Sequence, residues 1–575
     1  MLPVQRSNEL QKPNFILILT DDQDEVFQSA QQMPHLNRLA DEGVRMSNAF
    51  VTTPICCPSR SSILTGQYVH NTRVFNNTIE GNCGSKLWQQ TKESHQTWHQ
   101  ALRNDGYTTF YIGKYLNQYG SRETGGLTRI PPGWDSWVGL RGNSVYYNYT
   151  LSVNGTREKH GDELDDYLTS VIERQAKEFI NNNAGNSNAK PFFMFIAPPA
   201  PHVPCDSLPQ YWRDYLGWQP PYRKSYGKHA SDKHWLIRSQ PKTMSFLNRH
   251  FIELNYRKRL ESLRSVDDTV ASLVDVVHQN NIAERTIFVY ASDNGYHFGD
   301  FNMPLDKRLP YEFDIRIPMM WIGPGIKKGV ISDAIALNID IGPTILDFAG
   351  VSPLNTFDGS SLKSVLSSDA NTETNVPRRE YFGIEYWGRG GPQNAAPECG
   401  YSRDDRLSLC MLNCQCLDAA NNTYTCVRHL RVENGRNSID ELYCQFDDDE
   451  QFVEYYDMIK DPYQLENAAQ SLSKSAQKRL KAKLSEFNKC AGNRCRELEI
   501  ANVLQKNTVL IAENAVVNTK EDISNRTILA MITGSGITVI LVLVVVLIVL
   551  KQNSAHNDHT RPPREATQLM TESSL

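Results

Sequence analysis

FILILTDD, residues 15–22, is the stretch on which the fold turns. Five apolar residues in a row are too few for a helix and read as a strand buried on both faces. The run ends in Thr20, Asp21 and Asp22, so polar groups follow at its C-terminal end. The same layout recurs in TTFYIGK (108–114), FFMFIAPPAPH (192–202) and TIFVYASDN (286–294). Such runs alternate with helical patterns through the first two-thirds of the chain, which predicts an α/β domain with a largely parallel sheet. Open α/β sheets hold ligands beyond the carboxyl ends of their strands. One such strand says little; four predict a shared site near Asp21, Asp22, Lys114, His202, Asp293 and Asn294.

The chain has 575 residues, more than one core usually spans, so a large domain and a smaller one are expected. Near residue 370 the texture changes: LSSDANTETNVP (366–377) is a polar linker. Beyond it a sheet is expected around Tyr424–Arg431 and Glu441–Phe446. A helix should follow, with Leu472, Ala476, Leu480, Leu484 and Phe487 on one face and lysines opposite. The expected organisation is a large α/β domain over 13–375 and a small α+β domain over 376–500. A stalk over 501–527, a membrane-spanning helix over 528–550 and a cytoplasmic tail over 551–575 complete it. ILAMITGSGITVILVLVVVLIVL (528–550) is uncharged and long enough to cross a bilayer. Lys551, Arg561 and Arg564 after it, against Lys520 and Arg526 before it, lean towards a cytoplasmic C-terminus. In the tail, EATQLM (565–570) is similar to an acidic dileucine sorting signal, which points to lysosome or endosome, with the cell surface as the alternative.

Compartment signals agree with a lumenal or extracellular bulk. Asn76, Asn148, Asn154 and Asn421 each open an N-glycosylation acceptor pattern. Twelve cysteines, eight of them after residue 398, suit disulfides in an oxidising compartment. A zinc site of Cys410, Cys414, Cys416 and Cys426 is the rival reading. The opening MLPVQRSNELQKPNF has no apolar run of the signal-peptide kind, so entry is expected through residues ahead of it or by another route. The net charge of −5 supplies no basic field for nucleic acid, and an anionic substrate must be gripped by local Lys, Arg and His.

CCPSRSSILTG (56–66) is the sharpest feature. Pro58 suits the first position of a helix and Gly66 its C-terminal cap. Cys56 then sits at a helix N-terminus, where free N–H groups and the dipole favour an anion. On this pattern alone, a buried or disulfide-bonded cysteine remains an equal reading.

Cys-x-Pro-Ser-Arg followed by Leu-Thr-Gly, with Leu-Thr-Asp-Asp (19–22) ahead and Ser-Asp-Asn-Gly (292–295) behind, resembles the signature of the type I sulfatases. GKYLNQYG (113–120), KHWLIR (233–238), DNGYHFGDF (293–301) and DKRLPYEFDIRIP (306–318) add to the resemblance. It is strongest to the glucosamine-6-sulfatase branch, with the heparan 6-O-endosulfatases next. NNTYTCVR (421–428) and YCQFDDDEQFVEYYD (443–457) carry it into the small domain.

The resemblance implies an alkaline-phosphatase-like fold, a large mixed sheet flanked by helices. It implies that a formylglycine-generating enzyme oxidises Cys56 to formylglycine. The aldehyde hydrate would attack sulfur, form a sulfate ester, and expel sulfate as its second hydroxyl collapses, splitting one hard displacement into two. A plain thiol has no second hydroxyl to drive that release. Asp21, Asp22, Asp293 and Asn294, completed by residue 56, match the metal ligands. Their oxygen donors suit Ca2+, with Mg2+ second. Arg60 would orient the hydrate and Lys114 hold a sulfate oxygen, while His202 and Lys307 face the leaving oxygen. Lys233, His234, His297 and Arg316 are candidates for contacting an acidic sugar.

One departure stands out. Many sulfatases carry Gly-Lys-x-His, whereas here Leu116 takes the histidine's place, leaving His297 as a candidate to activate the hydrate. The expected function is removal of the 6-O-sulfate from glucosamine or N-acetylglucosamine of heparan- or keratan-type glycosaminoglycans. The rivals are a sulfatase or phosphohydrolase acting on another sugar ester, and a non-catalytic, membrane-anchored glycan-binding protein.

Overall fold

Asn14–Thr20 is the central strand of a ten-stranded sheet, and its side chains divide by parity between two cores. Phe15, Leu17 and Leu19 enter one; Ile16 and Ile18 enter the other. The computed structural model describes residues 12–184, 190–368, 378–388, 422–433, 435–448 and 450–500. Glycan acceptor Asn421, four of the late cysteines (Cys399, Cys410, Cys414 and Cys416) and everything expected beyond residue 500 lie outside them. Among the described residues no helix is long and apolar enough to cross a membrane.

The strand order is Val330–Leu337, Gly43–Phe50, Met319–Ile322, Thr286–Ser292, Asn14–Thr20, Phe192–Ala197, Thr108–Lys114, Ser136–Leu140, Thr150–Val153 and Thr156–Lys159. The central four expected strands are mutually parallel, but the sheet as a whole is mixed. Met319–Ile322 runs antiparallel to both neighbours, and two antiparallel strands close the far edge. Short connections such as Asn154-Gly155 fold a strand back on its neighbour, a hairpin that the strand-by-strand reading passes over. Register places the site: Thr20 pairs with Ser292, so Asp21-Asp22 and Asp293-Asn294 leave the sheet side by side.

Helices cover both faces. Pro34–Ala40, Leu168–Asn183 and the later part of Phe246–Gln279 pack on the Ile16 face. Cys56–Thr65, His99–Asn104 and Ile341–Ala349 pack on the Phe15 face. The second sheet is antiparallel, in the order Tyr381–Trp387, Thr423–Glu433, Arg436–Phe446 and Val453–Asp457. Helix Lys474–Phe487 lays Leu480, Leu484 and Phe487 into the core and leaves Lys474, Lys478 and Lys481 exposed.

Disulfides join Cys57 to Cys83, Cys426 to Cys444 and Cys490 to Cys495. The Cys426–Cys444 bond links directly paired strand residues and removes Cys426 from the four-cysteine zinc reading. Asn148 and Asn154 are exposed. Asn76 is buried, with Oδ1 accepting from the Thr78 N–H and hydroxyl.

His70, in the short helix Val69–Thr72, reaches the second sheet, with Nδ1 2.8 Å from Glu385 Oε1 and Nε2 2.9 Å from the Cys490 carbonyl. Both ring nitrogens therefore face acceptors. Burial alone would lower the pKa of His70, but Glu385 carries it up to about 9. A folded pKa above the unfolded value of ~6.5 gives stability that is complete below that pH and lost as pH rises through 9. The expected loss is about 3 kcal/mol between pH 6 and pH 9.5. His70→Gln should flatten that part of a thermal-melting profile; parallel profiles for the two proteins would refute the linkage.

Candidate active site

The helix Cys56–Thr65 starts two residues earlier than the position of Pro58 suggests. Proline is tolerated there because first-turn N–H groups have no intrahelical partner to lose. Every residue of this helix is buried. Gly66 ends it with φ 64°, and a Cβ there would sit 2.5 Å from the Phe357 ring. The polar face is anchored by Ser59, which donates to the Asp293 carbonyl and accepts from Asn338 Nδ2 at 2.9 Å. Cys56 Sγ thereby stands 3.7 Å from Asp22 Oδ1.

Around that sulfur three carboxylates face three cations. Lys114 Nζ is 2.6 Å from Asp21 Oδ2, and Ser144 donates to the same oxygen. Lys307 Nζ is 2.5 Å from Asp22 Oδ2, with His202 Nε2 3.7 Å from that atom. Arg60 donates through Nε to Asp293 Oδ2 at 2.8 Å and through Nη1 to the Lys114 carbonyl at 2.8 Å. Asn294 Nδ2 donates to Asp22 Oδ1 at 2.8 Å. Just before Lys114, Gly113, at φ 110°, passes so close to Ala197 that a Cβ would lie 2.0 Å from its carbonyl oxygen.

Burial opposes ionisation of all these groups, and the neighbours decide which wins. Lys114, His202, Arg60 and Lys307 together hold Asp21 well below the usual carboxylate range. Lys307 leads in bringing Asp22 down to about 2. Burial outweighs Arg60 at Asp293, which rises to about 7 with Asp21 and Asp22 adding to the push. Burial also lowers His202 to about 4, leaving a neutral imidazole at neutral pH. The Cys56 thiol is pushed up to about 12, so as a cysteine residue 56 is protonated and a poor nucleophile.

A divalent cation fits this donor set. Atoms of Asp21, Asp22 and Cys56 lie within 4.8 Å of one another. Asp21 Oδ1 and Asn294 Oδ1 are buried yet accept no hydrogen bond from any of the described residues. Buried oxygens without donors are costly unless something positive faces them. The balance of three carboxylates against three cations also has no charge to spare for an incoming anion, which a divalent ion would offset.

The remaining sequence candidates lie elsewhere or are otherwise engaged. Lys233 is fully buried, donating to Tyr456 OH at 2.7 Å and the Gln464 carbonyl at 2.6 Å. His234 stacks on Phe446 and pairs with Asp448 at 2.8 Å. Arg316 pairs with Glu312 at 2.7 Å and packs over Phe50. These three bind parts of the protein to one another, so the expectation that they grip a sugar is corrected. A Lys-His-Trp run reads as a ligand surface only until the second sheet is placed against it. His297 is fully buried, with Nδ1 2.9 Å from Asp314 Oδ1 and Nε2 without a partner among the described residues. Ser144, outside any regular element, is signalled by no motif.

The sequence profile described as Sulfatase matches residues 13–351, and one described as N-sulphoglucosamine sulphohydrolase, C-terminal, matches 299–404. The chain belongs to the sulfatase family. Enzymes of the type I sulfatase family generally use a formylglycine and a divalent metal. This sulfatase is 42% identical to N-acetylglucosamine-6-sulfatase of Homo sapiens over 489 residues, 84% of this chain and 86% of that protein. It is 42% identical to the protein of the same name from Capra hircus over 493 residues, covering 84% and 85%. The extracellular sulfatase SULF-1 homolog of Drosophila melanogaster is 41% identical over 384 residues, 66% of this sulfatase but 33% of that protein. A solved structure in complex with its substrate, D-glucosamine-2-N,6-O-disulfate, superposes with a TM-score of 0.65 at 22% identity, covering 85% of this sulfatase and 99% of that chain. The fold is the alkaline-phosphatase-like one, with a large mixed sheet, flanking helices and a C-terminal domain.

Proposed function

We propose that this sulfatase removes the 6-O-sulfate of glucosamine or N-acetylglucosamine residues in heparan- or keratan-type glycosaminoglycans. The observation that carries the reading is Cys56 at a buried helix N-terminus, 3.7 Å from Asp22 and inside a ring of carboxylates and cations. The 42% identity to N-acetylglucosamine-6-sulfatases over most of both chains supports the choice of ester. The three disulfides among the described residues support an oxidising lumenal or extracellular setting. The apolar run 528–550 is the membrane anchor of this reading, with lysosome or cell surface as destination.

Oxidation of Cys56 to formylglycine would supply a hydrated aldehyde as nucleophile. Asp21, Asp22, Asp293 and Asn294 would hold Ca2+, an ion whose charge offsets that of the sulfate and favours ionised oxygen nucleophiles. Arg60 fixes the helix that carries residue 56 by bridging Asp293 and the Lys114 carbonyl. Lys114 and Lys307 place positive charge where negative charge gathers on the sulfuryl oxygens, in a site too dry to screen it. Lys307 stays protonated beside Asp22, with its pKa raised, and can pass a proton to the departing sugar oxygen. His202, the second group expected at the leaving oxygen, stands beside it with Nε2 3.7 Å from Asp22 Oδ2.

Two measurements test this. Mass spectrometry of a peptide covering residues 50–73 should find an aldehyde in place of the Cys56 thiol. Sulfate release should be strongest on 6-O-sulfated N-acetylglucosamine among a panel of sulfated and phosphorylated sugars. An intact thiol in protein made with the oxidising enzyme, or preference for another ester, would refute the corresponding half.

A further inference from the structure

Helix Phe246–Gln279 contributes one guanidinium to the underside of the site. Arg259 is fully buried. Its Nη2 donates to the Asp22 carbonyl at 2.5 Å and its Nη1 to the Pro201 carbonyl at 3.0 Å. Nη2 also lies 3.4 Å from Asp24 Oδ1, and the guanidinium sits 4.2 Å from the Tyr296 ring centroid and 5.1 Å from that of Phe298. These partners belong to three segments, each following a different strand of the large sheet. The first carries Asp21 and Asp22, the second His202, the third Asp293 and Asn294.

From this convergence we propose that Arg259 is a positioning residue, fixing the direction in which Asp22 presents its carboxylate to the cation and to Lys307. Asp22 holds φ 67°, in the left-handed region that a non-glycine residue enters only when its surroundings demand it. Its carbonyl is the atom Arg259 grips, so the same contact that fixes this peptide also fixes the Cα–Cβ direction. The adjoining Pro201 carbonyl ties the His202 loop to the same fork. Asp24 balances the charge of Arg259, so the effect on the site runs through geometry. A planar fork reaches two carbonyls and a carboxylate at once, whereas a lysine ammonium is a single point on a flexible stem.

The inference rests on the proposed cation site, and the test separates the two. With no sulfate ester present and residue 56 unchanged, calcium binding is measured by calorimetry with and without Arg259→Lys and Arg259→Met, alongside melting temperatures. Both folded variants should bind calcium about 10–100-fold more weakly. With a sulfate ester present, kcat should fall more than KM changes, and raised calcium should recover part of it, which a purely structural defect would not allow. Calcium affinity within about twofold of the parent in a folded variant would overturn the inference while leaving the site reading intact, and failure of both variants to fold would assign Arg259 to the general core and overturn it too. Absence of calcium binding in the parent itself would overturn the site reading and this inference together.

Discussion

Cys56→Ala is expected to abolish sulfate release, by at least about 10⁴-fold in kcat, while leaving the protein folded. The size follows from the proposed role: the residue would form and break a bond to sulfur, which the surrounding cations cannot replace. Folding survives because alanine removes only Sγ from a site whose helix is held by Ser59, Asn338 and Arg60. Cys56→Ser should fare no better in steady state. A single hydroxyl can accept the sulfuryl group once, but it has no second hydroxyl to expel it, so the outcome is at most a stoichiometric adduct. The neighbouring residue provides the control. Cys57 is bonded to Cys83 across 26 residues. Replacing both by Ala should cost about 3.5 kcal/mol of stability in the chain-entropy model yet preserve turnover per folded molecule. Sulfate release by Cys56→Ala at more than a trace, or an equal loss in the Cys57 variant, would refute the assignment.

That two adjacent cysteines have separate fates could not be read from their own positions. The motif singles out Cys56, but the partner of Cys57 lies in a loop without regular structure, and pairing depends on how that loop folds back. The candidate site was legible for the opposite reason. Asp21, Lys114, His202 and Asp293 each come just after an apolar run, and parallel strands in register must bring the residues at their carboxyl ends to one edge. Lys307 has no such run ahead of it, and only the resemblance signals it. Lys233, His234 and Arg316 were misread because their partners, Tyr456, Asp448 and Glu312, are distant in sequence or uninformative singly. Arg259 is the reverse case: in sequence it is one more charge on a long helix rich in Arg and Lys, and its importance appears only when three segments are seen to meet on it. Strand order shows the same limit. Met319–Ile322 has a buried-strand pattern whichever way it runs, so its antiparallel course comes from the connections and not from its side chains.

Asp22→Asn should remove most of the activity, though less than loss of the nucleophile does, and through charge. Asparagine keeps the shape of the side chain and is among the few residues at ease near φ 67°, so the backbone need not change. The substitution deletes the negative charge that Lys307 touches at 2.5 Å and that Asn294 and His202 also face. Because Asp22 is held down to about 2, the wild-type group is ionised at any working pH, and the variant differs from it throughout. Its own linkage contribution is complete above the unfolded value of ~3.9 and fades as pH falls towards 2, so the variant should lose less stability across that acid range. At neutral pH the variant leaves Lys307 buried without its carboxylate, which typically costs about 3–5 kcal/mol. Turnover must therefore be expressed per folded molecule. On that basis kcat should fall by about 10²–10³ and calcium affinity by at least about tenfold. Asp22→Ala should be less stable again by about 1–2 kcal/mol, the cost of placing alanine in the left-handed region. Folded Asp22→Asn with wild-type kcat and calcium affinity would show that the carboxylate neither holds the cation nor sets the charge on Lys307.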